Sequence, residues 1–138
     1  DLANSLYTIM SEQNADHTNL FRSLSLAAVG DDASMHADFQ DSAAVNHWLE
    51  RWRARIADDA MAPDARAKAM NAVNPIYVPR NHLVEDALKA TVETGQMTPF
   101  KLLLDIIKSP FEPKDGLEAY AQPASAAFGA GYKTFCGT

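Results

Sequence analysis

Ala43-Ala44-Val45-Asn46-His47-Trp48-Leu49-Glu50-Arg51-Trp52-Arg53-Ala54-Arg55-Ile56 is the stretch that decides the fold class. At about 100° per residue, Val45, Trp48, Leu49, Trp52 and Ile56 fall within an arc of about 100°, the stripe of a helix with one face in a core. His47 and Glu50 lie opposite. Arg51, Arg53 and Arg55 flank the stripe, where their stems can cover apolar surface while their heads stay wet. A helix is expected over residues 43–60.

The same period continues on both sides. Upstream, Leu2, Leu6, Ile9 and Met10 predict a helix over 1–13, followed by a polar break in which Asp16 is a suitable N-cap. Leu20, Phe21, Leu24 and Ala28 line the next face, and Gly30 stops it. Residues 31–42 are acidic and without period, and read as a loop. Downstream, Pro63 fits a first helical turn, with Ala65, Ala69, Met70 and Val73 as its buried side. Asn74 is pushed out of the α region by Pro75, which ends that helix.

Two prolines then make residues 76–79 extended or turn-like. Asn81 is the expected cap of a helix reaching about Thr94, with Gly95 after its end. Leu83, Val84, Ala87, Leu88 and Thr91 share its face, and Glu85 is spaced to pair with Lys89. Thr98-Pro99 starts a further helix to about Lys108. Its apolar arc, with Phe100, Leu102, Leu103, Leu104, Ile106 and Ile107, reaches about 200°, so it is expected to be covered on two sides. Beyond Pro110 the period fades. The pattern predicts an all-α fold of about six helices over residues 1–110 and an extended C-terminal arm over 111–138, with Phe111, Tyr120, Phe128, Tyr132 and Phe135 as its anchors.

A net charge of −6 argues against a nucleic-acid partner, which needs clustered Lys and Arg to displace phosphate counterions. The longest apolar runs are a few residues, short of the roughly 20 that a membrane span requires. No signal peptide opens the chain. It begins at Asp1, directly in an amphipathic pattern, as a helix cut into would begin.

Few residues carry chemistry. Gly129-Ala130-Gly131 lacks the third glycine and following helix of a phosphate cradle, and reads as flexible tail. Asp31, Asp32, His36, Asp38 and Asp41 lack the order of a calcium loop, so a solvated acidic loop is the better reading and no metal site is expected. The four histidines share no ligand spacing. The single cysteine, Cys136, excludes an internal disulfide framework; it is either a bystander or a redox thiol, and is poorly placed for a hydrolytic nucleophile. Arg80-Asn81-His82 gathers three polar side chains at a helix start, either to cap and tie a turn or to hold an anion or partner there.

The run Asn74-Pro75-Ile76-Tyr77-Val78-Pro79-Arg80-Asn81-His82 closely resembles the N-P-x-[FY]-[IV]-x-R-N-[HY] segment of the selenoprotein O family, also called YdiU. Pro99-Phe100, Leu103-Leu104, Pro110-Phe111, Tyr120 and Pro123 follow the family's order. Thr134-Phe135-Cys136-Gly137-Thr138 looks like the ending of many bacterial members. The resemblance implies a protein-kinase-like enzyme that transfers AMP from ATP to protein hydroxyls using a divalent metal such as magnesium. It implies that this chain is the C-terminal part, cytoplasmic and without catalytic residues of its own. Its partners would be the upstream kinase-like domain and the protein substrates of the parent enzyme. Cys136 matches the position where some relatives carry selenocysteine, which implies a redox role. In this reading Asn74, Pro75, Arg80, Asn81 and His82 are a structural motif, and ATP and metal belong to the full-length protein. The competing expectation is a free-standing helical interaction module that binds a partner through the two-sided helix Thr98–Lys108.

Overall fold

The computed structural model describes residues 1–133; Phe135 and Cys136 lie outside the described residues. Among the described residues there are eight α-helices, one 3-10 turn and no strand, so the fold is all-α. None of these helices is long and apolar enough to cross a membrane. Contacts divide the chain into two units, Asp1–Ile76 and Tyr77–Thr138. The described part of the arm groups with the two helices before it.

The first unit holds α1 (Leu2–Gln13), α2 (His17–Ala27), α3 (Ala33–Ala37), α4 (Ser42–Ala57) and α5 (Pro63–Val73). Three aspartates start its helices. Asp1 accepts from the backbone of Ala3, Asp16 from Asn19 at 2.9 Å, and Asp41 from Ala43 and Ala44. Each satisfies N–H groups that the first turn leaves open. Asn14 closes α1 in the left-handed region with φ 55°, which asparagine tolerates better than most residues.

The α4 stripe is the centre of this core. Val45, Trp48, Leu49 and Trp52 are buried against Leu6 and Met10 of α1 and Leu20, Leu24 and Ala27 of α2. The indoles of Trp48 and Trp52 stack with centroids 6.0 Å apart, and Trp48 Nε1 donates to the Leu2 carbonyl at 2.9 Å. That bond lets a large amphipathic ring enter the core without stranding its donor.

Residues 31–42 are not the plain loop that their composition predicts. They contain α3, whose Met35 is fully buried, with Phe39 beside it in the same core. Five residues are too few for a visible period, and tertiary contacts supply the order. Arg53 forms an ion pair with Asp32, and Ser23 Oγ donates to Asp38 at 2.7 Å.

The expected buried side of α5 is also wrong by about a quarter turn. Ala65, Ala69 and Val73 are exposed, Val73 by 72%, and no α5 residue is fully buried. The face on α2 carries Met70, Asn71 and Asn74, because the contact is largely polar. Arg22 Nη1 donates to the carbonyls of Asn71 (3.2 Å) and Asn74 (3.1 Å). Ser25 Oγ lies 2.7 Å from Asn71 Oδ1.

The second unit is built on α6 (Asn81–Thr94) and α7 (Thr98–Ile107), which pack against each other. Gly95 turns the chain between them with φ 71°, a conformation open to glycine at little cost. Thr98 is the first residue of α7 rather than its cap. Leu103 and Ile106 are buried, whereas Phe100 (37%) and Leu102 (39%) are exposed, so only one side of the wide apolar arc is covered within the unit. The arm is partly helical: a 3-10 turn at Glu118–Ala121 precedes α8 (Ala126–Gly131). Ser125 caps α8 by accepting from Phe128, and Gly129 and Gly131 lie inside it rather than in a flexible tail.

Leu49 is 1% exposed at the centre of the α4 stripe. Leu49→Ala is expected to destabilise the first unit by about 2–5 kcal/mol, read as a lower urea midpoint of tryptophan fluorescence.

Candidate functional site

The sequence points to residues 74–82, and the structure gives them separate tasks. Asn74, held in extended geometry before Pro75, closes α5: its N–H and its Nδ2 both donate to Met70 O, at 3.0 and 2.8 Å. Tyr77 begins the second unit and is buried. Its N–H donates to Pro110 O at 3.2 Å, and its hydroxyl accepts from Lys114 N at 3.0 Å. The Lys114 ammonium lies 5.3 Å from the Tyr77 ring centroid and donates to Ile106 O at 2.8 Å, at the C-terminal end of α7. One aromatic side chain thereby ties the start of the unit to the chain after α7.

Asn81 does not cap α6. Arg80 occupies the cap position, with no side-chain oxygen bonded to the first turn, and Asn81 is the exposed first helical residue. The tight turn at Pro79, closed by Arg80 N donating to Val78 O at 2.7 Å, sets this register. The first helical bond follows, from Val84 N to Arg80 O at 3.0 Å.

The side chains of this first turn receive the arm. Arg80 Nη2 donates to Ala121 O at 2.9 Å. The His82 ring meets Phe128 edge-on, 5.8 Å between centroids and 69° between planes. Phe128 stacks on Tyr132 at 4.9 Å, and the Tyr132 hydroxyl donates to Glu85 at 3.2 Å. Burial pushes the Tyr132 phenol above its ordinary value, and the Glu85 carboxylate that accepts its proton pushes it further the same way. The phenol therefore stays a donor at neutral pH. Glu85 is engaged here rather than with Lys89, which approaches Glu93 instead.

An aromatic pair contributes about 0.5–1.5 kcal/mol beyond its buried area. Against it, a glycine inside a helix costs about 1 kcal/mol relative to alanine. α8 contains two and has no fully buried residue.

Elsewhere the structure offers little chemistry. Among the described residues no group of three or more His, Cys, Asp or Glu side chains is placed to hold a metal ion. The acidic residues of 31–42 are spent on structure: Asp32 on Arg53, Asp38 on Ser23, and Asp41 on the α4 cap. His36 Nε2 lies 2.8 Å from Asn46 Oδ1. Two hollows border α6 and α7. One of about 170 Å³ is lined almost wholly by apolar atoms, including Val84, Phe100 and Leu104. The other, of about 420 Å³, lies between Leu83, Asp86 and Tyr120. The arm contacts of Arg80, His82 and Glu85 were beyond sequence reasoning, because partners 41 to 47 residues away leave no local signal.

A family model described as protein adenylyltransferase SelO matches residues 1–108. A protein nucleotidyltransferase YdiU of Mycobacterium sp. (strain KMS) is 45% identical over 137 residues, which cover 99% of this chain and 26% of that protein. Its namesake in Rhizobium rhizogenes is 43% identical over 140 residues, covering 100% of this chain and 28% of that protein. The one in Chromobacterium violaceum is 42% identical over 137 residues, covering 99% and 29%. The chain belongs to the SelO family. It spans between a quarter and a third of the length of these relatives.

Burial pushes the Asp38 carboxyl up, the Ser23 hydroxyl pulls it back in part, and the Asp16 carboxylate raises it further. The folded state thus holds the proton to higher pH than the unfolded chain does. Its contribution to stability is present below the ordinary carboxylate value and is lost as pH rises through the folded one. Asp38→Asn keeps an acceptor for Ser23 without the charge. The variant is expected to melt above the parent at neutral pH, with the gap closing in acid, as followed by thermal denaturation across pH.

Proposed function

We propose that this chain is the C-terminal helical part of a SelO-type protein adenylyltransferase, and that the parent enzyme moves AMP from ATP onto protein hydroxyl groups. The family match over residues 1–108, in a chain spanning about a quarter of its relatives, carries this reading. In it, a kinase-like domain upstream binds ATP and magnesium and supplies every catalytic residue, and the present helices support it. The exposed Leu88, Val92, Phe100 and Leu102 of the second unit favour such a role, since apolar side chains left uncovered in one unit are available to another. The enzyme works in the cytoplasm. Cys136 is its redox element: with a second thiol it gives up two hydrogens to an oxidant such as a peroxide, and the resulting disulfide tethers the arm.

The exposed apolar side of α7 also favours a second reading, a free-standing module that binds a partner through Thr98–Ile107. The coding sequence upstream of Asp1 separates the two. A kinase-like region there supports the first, and a start codon immediately before Asp1 the second.

Titration calorimetry of the 138-residue chain with ATP and magnesium is expected to give no binding heat, while the full-length protein transfers labelled AMP to acceptor proteins. Tight, metal-dependent ATP binding by the chain alone would put the active site in the wrong place. In the full-length protein, Cys136→Ser is expected to abolish the response of AMP transfer to oxidant. An equal response in both forms sinks the redox role.

A further inference from the structure

We propose that the groove between α6 and α7 seats one amphipathic helix from the upstream part of the parent protein, a helix with an apolar anchor side chain and an acidic edge. The inference rests on reading this chain as the C-terminal part of a longer enzyme, and it names the contact that joins the chain to the rest.

The groove follows from the composition of α7. At about 100° per residue, Phe100, Leu104 and Ile107 share an arc of about 60°, next to the buried Leu103. With Val84 of α6 they border the hollow of about 170 Å³. Leu88, one turn after Val84 and 45% exposed, extends the apolar surface along α6. Apolar residues scattered singly over a surface need no explanation, but these adjoin a concave site.

The size of the hollow sets what enters it. A cavity of about 150 Å³ lined by aliphatic and aromatic side chains stays dry and takes a benzene ring. This one has a similar volume and lining, with Ala87 and Leu103 buried at its floor, so one side chain of leucine or phenylalanine size fits it. A loop would bring backbone N–H and C=O groups that such a lining cannot satisfy. A helix bonds its own backbone internally and presents side chains alone.

Charge supplies the second half of the description. The chain as a whole carries a net charge of −6, yet the open edge of the stripe holds two lysines. Lys101 and Lys108 lie on the side of Phe100 and Leu104 away from Leu103, about 10.5 Å apart along α7. Lys101 is exposed, and Lys108 approaches Asp105 at 3.8 Å in an exposed pair that contributes little. Their complement is a helix with carboxylates two turns apart on the edge beside its anchor. This chain covers 26%, 28% and 29% of the three relatives described above, so more than two thirds of their length is left to supply that helix.

Lysine labelling with acetic anhydride, read by mass spectrometry, compares the 138-residue chain with the full-length protein. In the full-length protein Lys101 and Lys108 are expected to react about tenfold more slowly, the factor that a docked state favoured by about 1.4 kcal/mol gives. Phe100→Asp is expected to return both to the rate of the isolated chain, with circular dichroism of the variant chain checking its helix content. Lys101→Glu changes an exposed position and sets like charges against each other, so Lys108 is expected to lose most of its protection. Equal labelling of the two lysines in both proteins, or undiminished protection of Lys108 in Lys101→Glu, overturns the docking face. If that happens in a full-length protein that still transfers AMP, the reading of the parent enzyme stands. Protected lysines in a protein without AMP transfer keep the docking face and remove that reading instead.

Discussion

Five apolar side chains on one face of α4 must be covered, and the first unit is arranged around covering them. A helix cannot hide its own stripe, so α1, α2 and α3 supply the other walls. Each fully buried side chain of this size contributes about 1.5–3 kcal/mol. Trp48 adds a condition of its own. Its indole donor needs an acceptor inside the core, and the Leu2 carbonyl provides it from the first turn of α1. The start of the chain is thereby fixed by a residue 46 positions away. Asp1, Asp16 and Asp41 do the complementary work at the helix starts, accepting from N–H groups that the first turn leaves without a helical partner.

The second unit solves a harder problem with less material. Among its described residues the buried hydrophobics are Tyr77, Ala87, Leu103 and Ile106. A unit of this size buries a modest share of its surface, and tying points gain in importance. Tyr77 is the main one. Its backbone, hydroxyl and ring face take three different partners from Pro110 and Lys114, so the segment after α7 is held by hydrogen bonds where apolar area is short. The arm continues in the same way, with Arg80 on Ala121 and Tyr132 on Glu85. Polar ties of this kind each contribute about 0.5–1.5 kcal/mol net, enough to choose a conformation and too little to lock it.

What could be read from the sequence follows this difference. The helices α2 and α6 were legible because a period and a helix-end signal agreed, as at Asp16 and Gly95, and α1 and α4 were legible from their period. The phase of α5 was not, since its contact is made by Asn71 and Asn74 beside Met70, and a search for apolar periodicity pairs Met70 with Ala65, Ala69 and Val73 instead. α3 and α8 are too short for any period and owe their order to Met35 in one case and to Phe128 and Tyr132 in the other. At the candidate site, the residues of 74–82 stood out by resemblance, but their roles did not. Asn81 has the chemistry of a cap, yet the turn at Pro79 places Arg80 in that position, and backbone geometry overrides side-chain preference.

The polar residues at the start of α6 are spread along the arm and do not converge on one point. A nucleophile or metal centre needs several groups converging on one point with their partners fixed. Here Arg80, His82 and Glu85 touch three separate points of the arm. Spread contacts suit holding an extended segment and serve poorly for concentrating charge on one atom.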